Sequence, residues 1–496
     1  MPANGCLAPE VIPMGPRAES DDSRTLGELP GERRGLPWAA AVLIVLLAWS
    51  QAVRGAESPG ERGFEVASRS LGTQPDTEPP AYVRRLDQTD LPALQDLSAV
   101  EFNAEHRLRF EYRDDDLRRS VAGADAPFLL RTRAYVGLKE ALDPLRFGLE
   151  VQDSHRVNSH FPPNNLDDNA YDFLQAFGEL HFKEALDDEH PLRLQYGRMT
   201  LDYADRRLIA RNVWRNTTNS FQGFRGILGQ RGSDWEVDVV AVQPVERLMT
   251  RPDRPVDRDW FYGVIGNWRR WSEVVTLQPY YLFLDSHGEA NPLGREIHTV
   301  ALRGYGDVGE TGYDFDVDIA FQCGHDARLR HRALGVAAVL GRTFDAAWQP
   351  RLSGVLGYAS GDRDPSDDVQ QRFDRLFGAS RPWSRNLYFT WQNLITPQAR
   401  LEFQPHEKVR IDGNYSAFWL ASATDEWVVA HRRDPTGQSG TFVGQELDVR
   451  LRHALTRRLD LTLGYAHFIP GEFTKKTGRG DDTDFLYVEV TGRLIK

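Results

Sequence analysis

Tyr313–Cys323, "YDFDVDIAFQC", alternates with a period of two: Phe315, Val317, Ile319, Phe321 and Cys323 fall on one face, and Asp314, Asp316, Asp318 and Gln322 on the other. Successive strand residues point to opposite sides of a sheet, so such a segment meets an apolar medium on one side and water on the other. The pattern recurs along most of the chain. In "RLRFEYR" Leu108, Phe110 and Tyr112 oppose Arg107, Arg109, Glu111 and Arg113. In "PLRFGLEVQD" Leu145, Phe147, Leu149 and Val151 oppose Arg146, Glu150 and Gln152, and "WEVDVVAV" (235–242) and "ELDVRLRH" (446–453) read alike.

A soluble sandwich alternates as well, and two further features separate it from a membrane barrel. The strands read at about 9–11 residues, the length a tilted strand needs to cross a bilayer, against ~5–6 in soluble sheets. The connections also alternate in length. Short ones (139–144, 183–191, 229–233, 269–273, 454–458) lie between long polar ones (114–127, 154–172, 200–220, 244–259, 286–295, 361–396, 421–442, 469–483). Short turns at one end and long loops at the other mark an outer-membrane barrel. The spacing predicts an all-β, antiparallel up-and-down transmembrane barrel of about 18 strands over 97–496, with 386–395 open between loop and strand.

Ahead of the barrel, "WAAAVLIVLLAWS" (Trp38–Ser50) follows Arg33 and Arg34 and precedes small residues. It is too short to span a ~30 Å hydrocarbon core. The order of basic, apolar and small residues predicts a signal peptide over 1–55, cleaved after Ala52 or Gly55. Residues 56–96, rich in Pro, Ser, Gly and acids, read as a flexible lead-in. Lys and Arg number 60 against 72 Asp and Glu, net −12, which argues against nucleic acid as a partner. Only Cys6 and Cys323 occur, and the first falls within the signal.

In a barrel of this size the polar strand face lines an aqueous lumen. Arg107, Arg109, Arg131, Arg133, Arg146, Arg193, Arg400, Arg450 and Arg452 share that face with Glu111, Glu150, Asp314, Asp316 and Asp318. Arg198 ends the strand before the long loop "LDYADRRLIARNVWRNTTNS" (201–220), and the loop, read as folding into the channel mouth, adds Asp205 and Arg207. Guanidinium forks suit carboxylates and phosphates, so these twelve residues are the candidate pore lining for an anionic solute. Chemistry-bearing motifs are lacking: no H-E-x-x-H, C-x-x-C or G-x-S-x-G occurs, and no enzyme activity, metal or cofactor is expected. "GYGDVG" (304–309) matches a dinucleotide fingerprint by letter, but a strand rather than a helix follows it.

Gly197-Arg198, Leu201, Tyr203, Asp205, Arg207 and Leu208, followed by Trp214, Asn216, Phe221, Gly223 and Arg225, resemble the signature of the alginate export family. "LEVQDSHRV" (149–157), "FLQAFGELHF" (173–182) and the C-terminal "DDTDFLYVEVTGRLIK" are similar to other stretches of that family. Two departures stand out: Ala204 sits where a turn glycine is expected, and the chain ends in Lys496 rather than an aromatic residue. The resemblance implies a bacterial outer-membrane channel passing an anionic, alginate-like polysaccharide outward, embedded in outer-membrane lipid and served by periplasmic export proteins. An uptake porin for small acids fits the same residues. An outer-membrane enzyme and a soluble glycan-binding β-protein stand behind these two.

Overall fold

A computed structural model describes residues 78–89, 92–270 and 272–495. The predicted signal peptide lies outside the described residues, as does most of the lead-in. Eighteen antiparallel strands form a closed barrel. They are β1 (Val100–Asp114), β2 (Phe128–Leu138), β3 (Leu145–Val157), β4 (Asn169–Phe182), β5 (Leu192–Met199), β6 (Phe221–Leu228), β7 (Trp235–Glu246), β8 (Asp259–Trp268) and β9 (Thr276–Ser286). The second half adds β10 (Arg295–Asp307), β11 (Tyr313–Asp326), β12 (Leu329–Thr343), β13 (Arg351–Ala359), β14 (Leu394–His406), β15 (Val409–Trp419), β16 (Phe442–Thr456), β17 (Leu459–Pro470) and β18 (Thr483–Arg493). Each strand pairs with its chain neighbours, and β1 pairs with β18 from Glu105 opposite Arg493 to Asp114 opposite Asp484, which seals the cylinder.

The two-residue period sorts the side chains as the sequence predicts. On β1 Glu101, Asn103, Glu105, Arg107, Arg109, Glu111 and Arg113 are buried inward, while Leu108 is exposed outward. Val300, Leu302, Phe321 and Leu340 continue an apolar outer face. The segment 386–393 is loop, and β14 starts at Leu394. β3 and β4 extend further than read, so their loop shrinks to 158–168, and the outer turn between β11 and β12 is only Ala327–Arg328.

The interior departs from an open aqueous lumen. Loops 200–220, 360–393 and 420–441 fold inward and build an apolar core with the outer half of the wall. Leu208, Ile209, Phe373, Trp383, Trp391 and Trp427 pack there with Phe261, Ile265 and Leu282 of β8 and β9. Burying each large side chain contributes about 1.5–3 kcal/mol. Two loops zip together: Phe377 N–H donates to the Leu208 carbonyl and Ala210 N–H to that of Phe377. A Cβ at Gly378 would stand 1.9 Å from the Arg207 carbonyl oxygen, so only glycine allows this approach.

The later part of the predicted lead-in lies among the described residues. Residues 78–89 are ordered, with Tyr82, Val83 and Leu86 buried, because an inward-facing tyrosine and carboxylate find partners on the lumen wall.

Two predictions follow from this packing. Leu302→Arg places a charge near the middle of a lipid-facing strand and is expected to cost about 2–4 kcal/mol. Denaturant unfolding in lipid vesicles measures it, and an unchanged midpoint would mean that this face does not meet hydrocarbon. Gly378→Ala is expected to part the two loops at a cost of about 1–3 kcal/mol. Limited proteolysis of the folded barrel should then cut within 200–220 or 360–393, where wild type resists.

Candidate functional site

The inward loop 200–220 reaches the wall through two arginines, and Arg211 meets Glu150 of β3 at 2.5 Å. Arg207 lies 3.0 Å from Asp316 and 3.4 Å from Asp318 on β11, and Asp205 flanks it at 3.5 Å. Aspartates of β11 also hold other strands: Arg303 of β10 meets Asp316 at 2.6 Å and Arg351 of β13 meets Asp314 at 2.6 Å. The tip of this loop is left-handed over Ala204, Asp205 and Arg206, with φ of 47°, 52° and 63°. That explains why a glycine is expected at position 204, since only glycine adopts such angles without a steric penalty.

Beyond the tip, the loop caps a row of wall arginines with its own backbone. The Val213 carbonyl accepts from Arg107 at 3.0 Å and from Arg131 at 2.8 Å, and the Trp214 carbonyl accepts from Arg109 at 2.7 Å. Asn216, fully buried, donates to the carbonyls of Leu130, His155 and Asp167 and fixes the loop to β2 and β3. The Trp214 ring carries two guanidinium groups, Arg109 at 3.9 Å and Arg381 at 3.4 Å.

What remains of the lumen here is a cavity of about 430 Å³. Nine arginines line it (107, 131, 133, 206, 381, 385, 400, 450 and 493) against the four carboxylates of Glu105, Asp202, Asp460 and Glu489, so the surplus is cationic. Several arginines are held by acids on the wall. Glu105 takes Arg131 at 3.2 Å and Arg133 at 2.5 Å, while Asp412 takes Arg450 at 2.8 Å and Arg452 at 3.3 Å. Burial works against the Arg385 charge, but Asp412 and Asp448 outweigh it and hold the guanidinium above its ordinary value. Arg381 is different: it donates to the Arg385 carbonyl and the Tyr487 hydroxyl rather than to an acid. Burial, with Arg385, Arg450 and Arg109 nearby, pulls it down to about 9. It stays charged at neutral pH, and an arriving anion would relieve it.

The predicted pore residues therefore divide. Arg107, Arg131, Arg133, Arg400 and Arg450 meet at the cavity, with Arg109 and Arg452 just behind it. Arg146, paired with Asp143 at 2.8 Å, and Arg193 line a separate, smaller cavity at the short-turn end. Arg198 is held at the long-loop rim by Asp172 at 3.2 Å and the Asp253 carbonyl at 2.9 Å. Arg207 and Asp205 anchor the loop and do not line the cavity, because the β11 aspartates draw Arg207 to the opposite wall. Sequence reading missed Arg381 and Arg385, which sit in what reads as a plain polar loop. The signal was in "RPWSRNLYFTW" (381–391), whose aromatic residues are too many for a solvated loop.

The geometry has relatives among solved structures. The barrel superposes on Pseudomonas aeruginosa OpdK with vanillate (TM-score 0.56, 11% identity, 80% of this chain and 99% of that one). It superposes on P. aeruginosa OccK2 (OpdF) in complex with glucuronate (TM-score 0.53, 13% identity, 79% and 98%). Acinetobacter baumannii OccAB3 is comparable (TM-score 0.53, 13% identity, 79% and 99%). At these identities the likeness concerns the fold. No curated protein matches the sequence. Residues 98–487 match the family described as alginate export. With this barrel, its lipid-facing belt and that match over most of its length, the chain belongs to the alginate export family and is a channel of the bacterial outer membrane.

Proposed function

We propose that the channel passes a carboxylated saccharide outward, an alginate-like polyuronate, with the arginine cavity as its selectivity site. One observation carries this reading: fixed cations outnumber carboxylates around the cavity, where the half-buried Arg381 has neutral hydrogen-bond partners. A uronate supplies a carboxylate for the guanidinium fork and ring hydroxyls for the surrounding polar groups. The wall acids beside these arginines temper the attraction, as conduction requires binding weak enough to release. On this reading the chain acts as a conduit whose fixed charges position a solute.

A second reading, an uptake porin for small acids, is favoured by the cavity's size. About 430 Å³ lies within the ~300–1,000 Å³ of small-ligand sites. Two of the superposed proteins were crystallised with small carboxylates, vanillate and glucuronate.

Reconstituted in planar bilayers, the protein is expected to favour anions over cations. The double charge reversal Arg381→Glu with Arg400→Glu should turn that preference toward cations. A wild-type channel that prefers potassium would sink both readings. Polyuronate oligomers separate them: outward polymer transport predicts current blocks that lengthen with chain length, whereas a small-acid porin is blocked as well by a monomeric uronate as by an oligomer.

A further inference from the structure

At the short-turn end a strap of the chain crosses the inner wall. Arg84 and Arg85 pair with Phe102 and Glu101 at the start of β1. From there the strap runs along the lumen face toward β6. Tyr82 donates its hydroxyl to Glu150 of β3 at 2.8 Å, and Asn103 donates to the Tyr82 carbonyl at 2.7 Å. Glu78 ends against Arg225 of β6 and 3.6 Å from Arg193 of β5. The strap borders both cavities: Ala81 and Tyr82 line the larger one, and Glu78, Pro79 and Pro80 line the smaller one of about 200 Å³.

We propose that Arg193 and Arg225 form a second carboxylate site, at the periplasmic end, that Glu78 fills until an incoming uronate displaces it and the strap with it. The inference rests on the carboxylated-saccharide reading above and adds where the solute is first captured. Three observations support it. Asp238 holds Arg225 at 2.6 Å, so the cationic site keeps its shape when Glu78 leaves. Glu78 and Arg193 have side chains 39% and 25% exposed, so a dissolved anion can compete for the pair. The strap's apolar anchorage is small, Tyr82 and Val83 against Tyr135 with Leu86 buried beyond them, and much of the rest is polar contact that water or a sugar can replace. Once the strap moves, the two cavities along its length become one path, the smaller also lined by Arg146 and Lys139, which Asp143 and Glu101 hold at 2.8 Å each.

The full-length protein in planar bilayers tests this with Glu78→Lys, which Arg193 and Arg225 repel, and Tyr82→Phe, which removes only the hydroxyl bond to Glu150. Heat-modifiable migration in gels verifies that each variant folds. Glu78→Lys is expected to raise conductance in potassium chloride at least twofold. Glu78→Ala should strengthen block by galacturonate several-fold, since the built-in competitor is gone, and Tyr82→Phe should fall between wild type and Glu78→Lys. Wild-type conductance together with wild-type galacturonate block in the Glu78 variants would overturn the strap proposal. Cation selectivity or absence of conductance in every form, wild type included, would instead overturn the channel reading on which it rests.

Discussion

Hydrocarbon offers no hydrogen-bond partner, and this fixes the rest of the structure. Each strand N–H and C=O must find its partner on a neighbouring strand, and the row is complete only because β1 meets β18. Closure then imposes the two-residue period on all strands, since one side of each faces lipid and the other a space closed to lipid. That space is wide enough at eighteen strands to admit loops, and several of them use it. The long outer loops are thus part of the wall's interior packing, with Trp383, Trp391 and Trp427 as buried as core residues of a soluble protein.

The lumen is divided by charge pairing. Toward β10–β13, Asp314, Asp316 and Asp318 are matched by Arg351, Arg303 and Arg207, and the loop is sealed to the wall. Buried pairs of this kind add little net stability over apolar packing, yet removing one partner costs about 3–5 kcal/mol, so they specify where the loop sits. Toward β1, β2, β14 and β16 the matching is incomplete. Arginines there lean on backbone carbonyls and aromatic rings as well as on acids, which leaves part of their charge to a solute.

Much of this was legible from residues alone, for a simple reason. Strand alternation depends only on a two-residue period and the two surroundings of the wall, so the barrel and the inward turn of Arg107, Arg131, Arg133, Arg400 and Arg450 could be read without coordinates. The destination of each loop could not. Whether Arg207 lines a pore or ties a loop to Asp316 depends on a contact across more than a hundred residues of sequence. Arg146 and Arg198 point away from lipid as read, yet they stand near opposite ends of the barrel, and strand period says nothing about height. The strap was missed because a short Pro-rich stretch gives no periodic signal, although Glu78 meets Arg225 and Arg193 and Tyr82 meets Glu150.

The residues that carry the family resemblance now have a common role, and it concerns shape more than cargo. Tyr203 donates to Asp238 at 2.7 Å, Arg207 binds the β11 acids, and Asn216 ties the loop to β2 and β3. Gly223, at φ 155°, passes where a Cβ would lie 2.3 Å from the Ala241 carbonyl oxygen. Together they fold one loop into the barrel and hold it against the wall. The cations facing the cavity come largely from elsewhere, from β1, β2, β14, β16 and the loop 360–393. A match to this signature therefore identifies a barrel with a loop folded into it, while most of the arginines lining the larger cavity lie outside the signature.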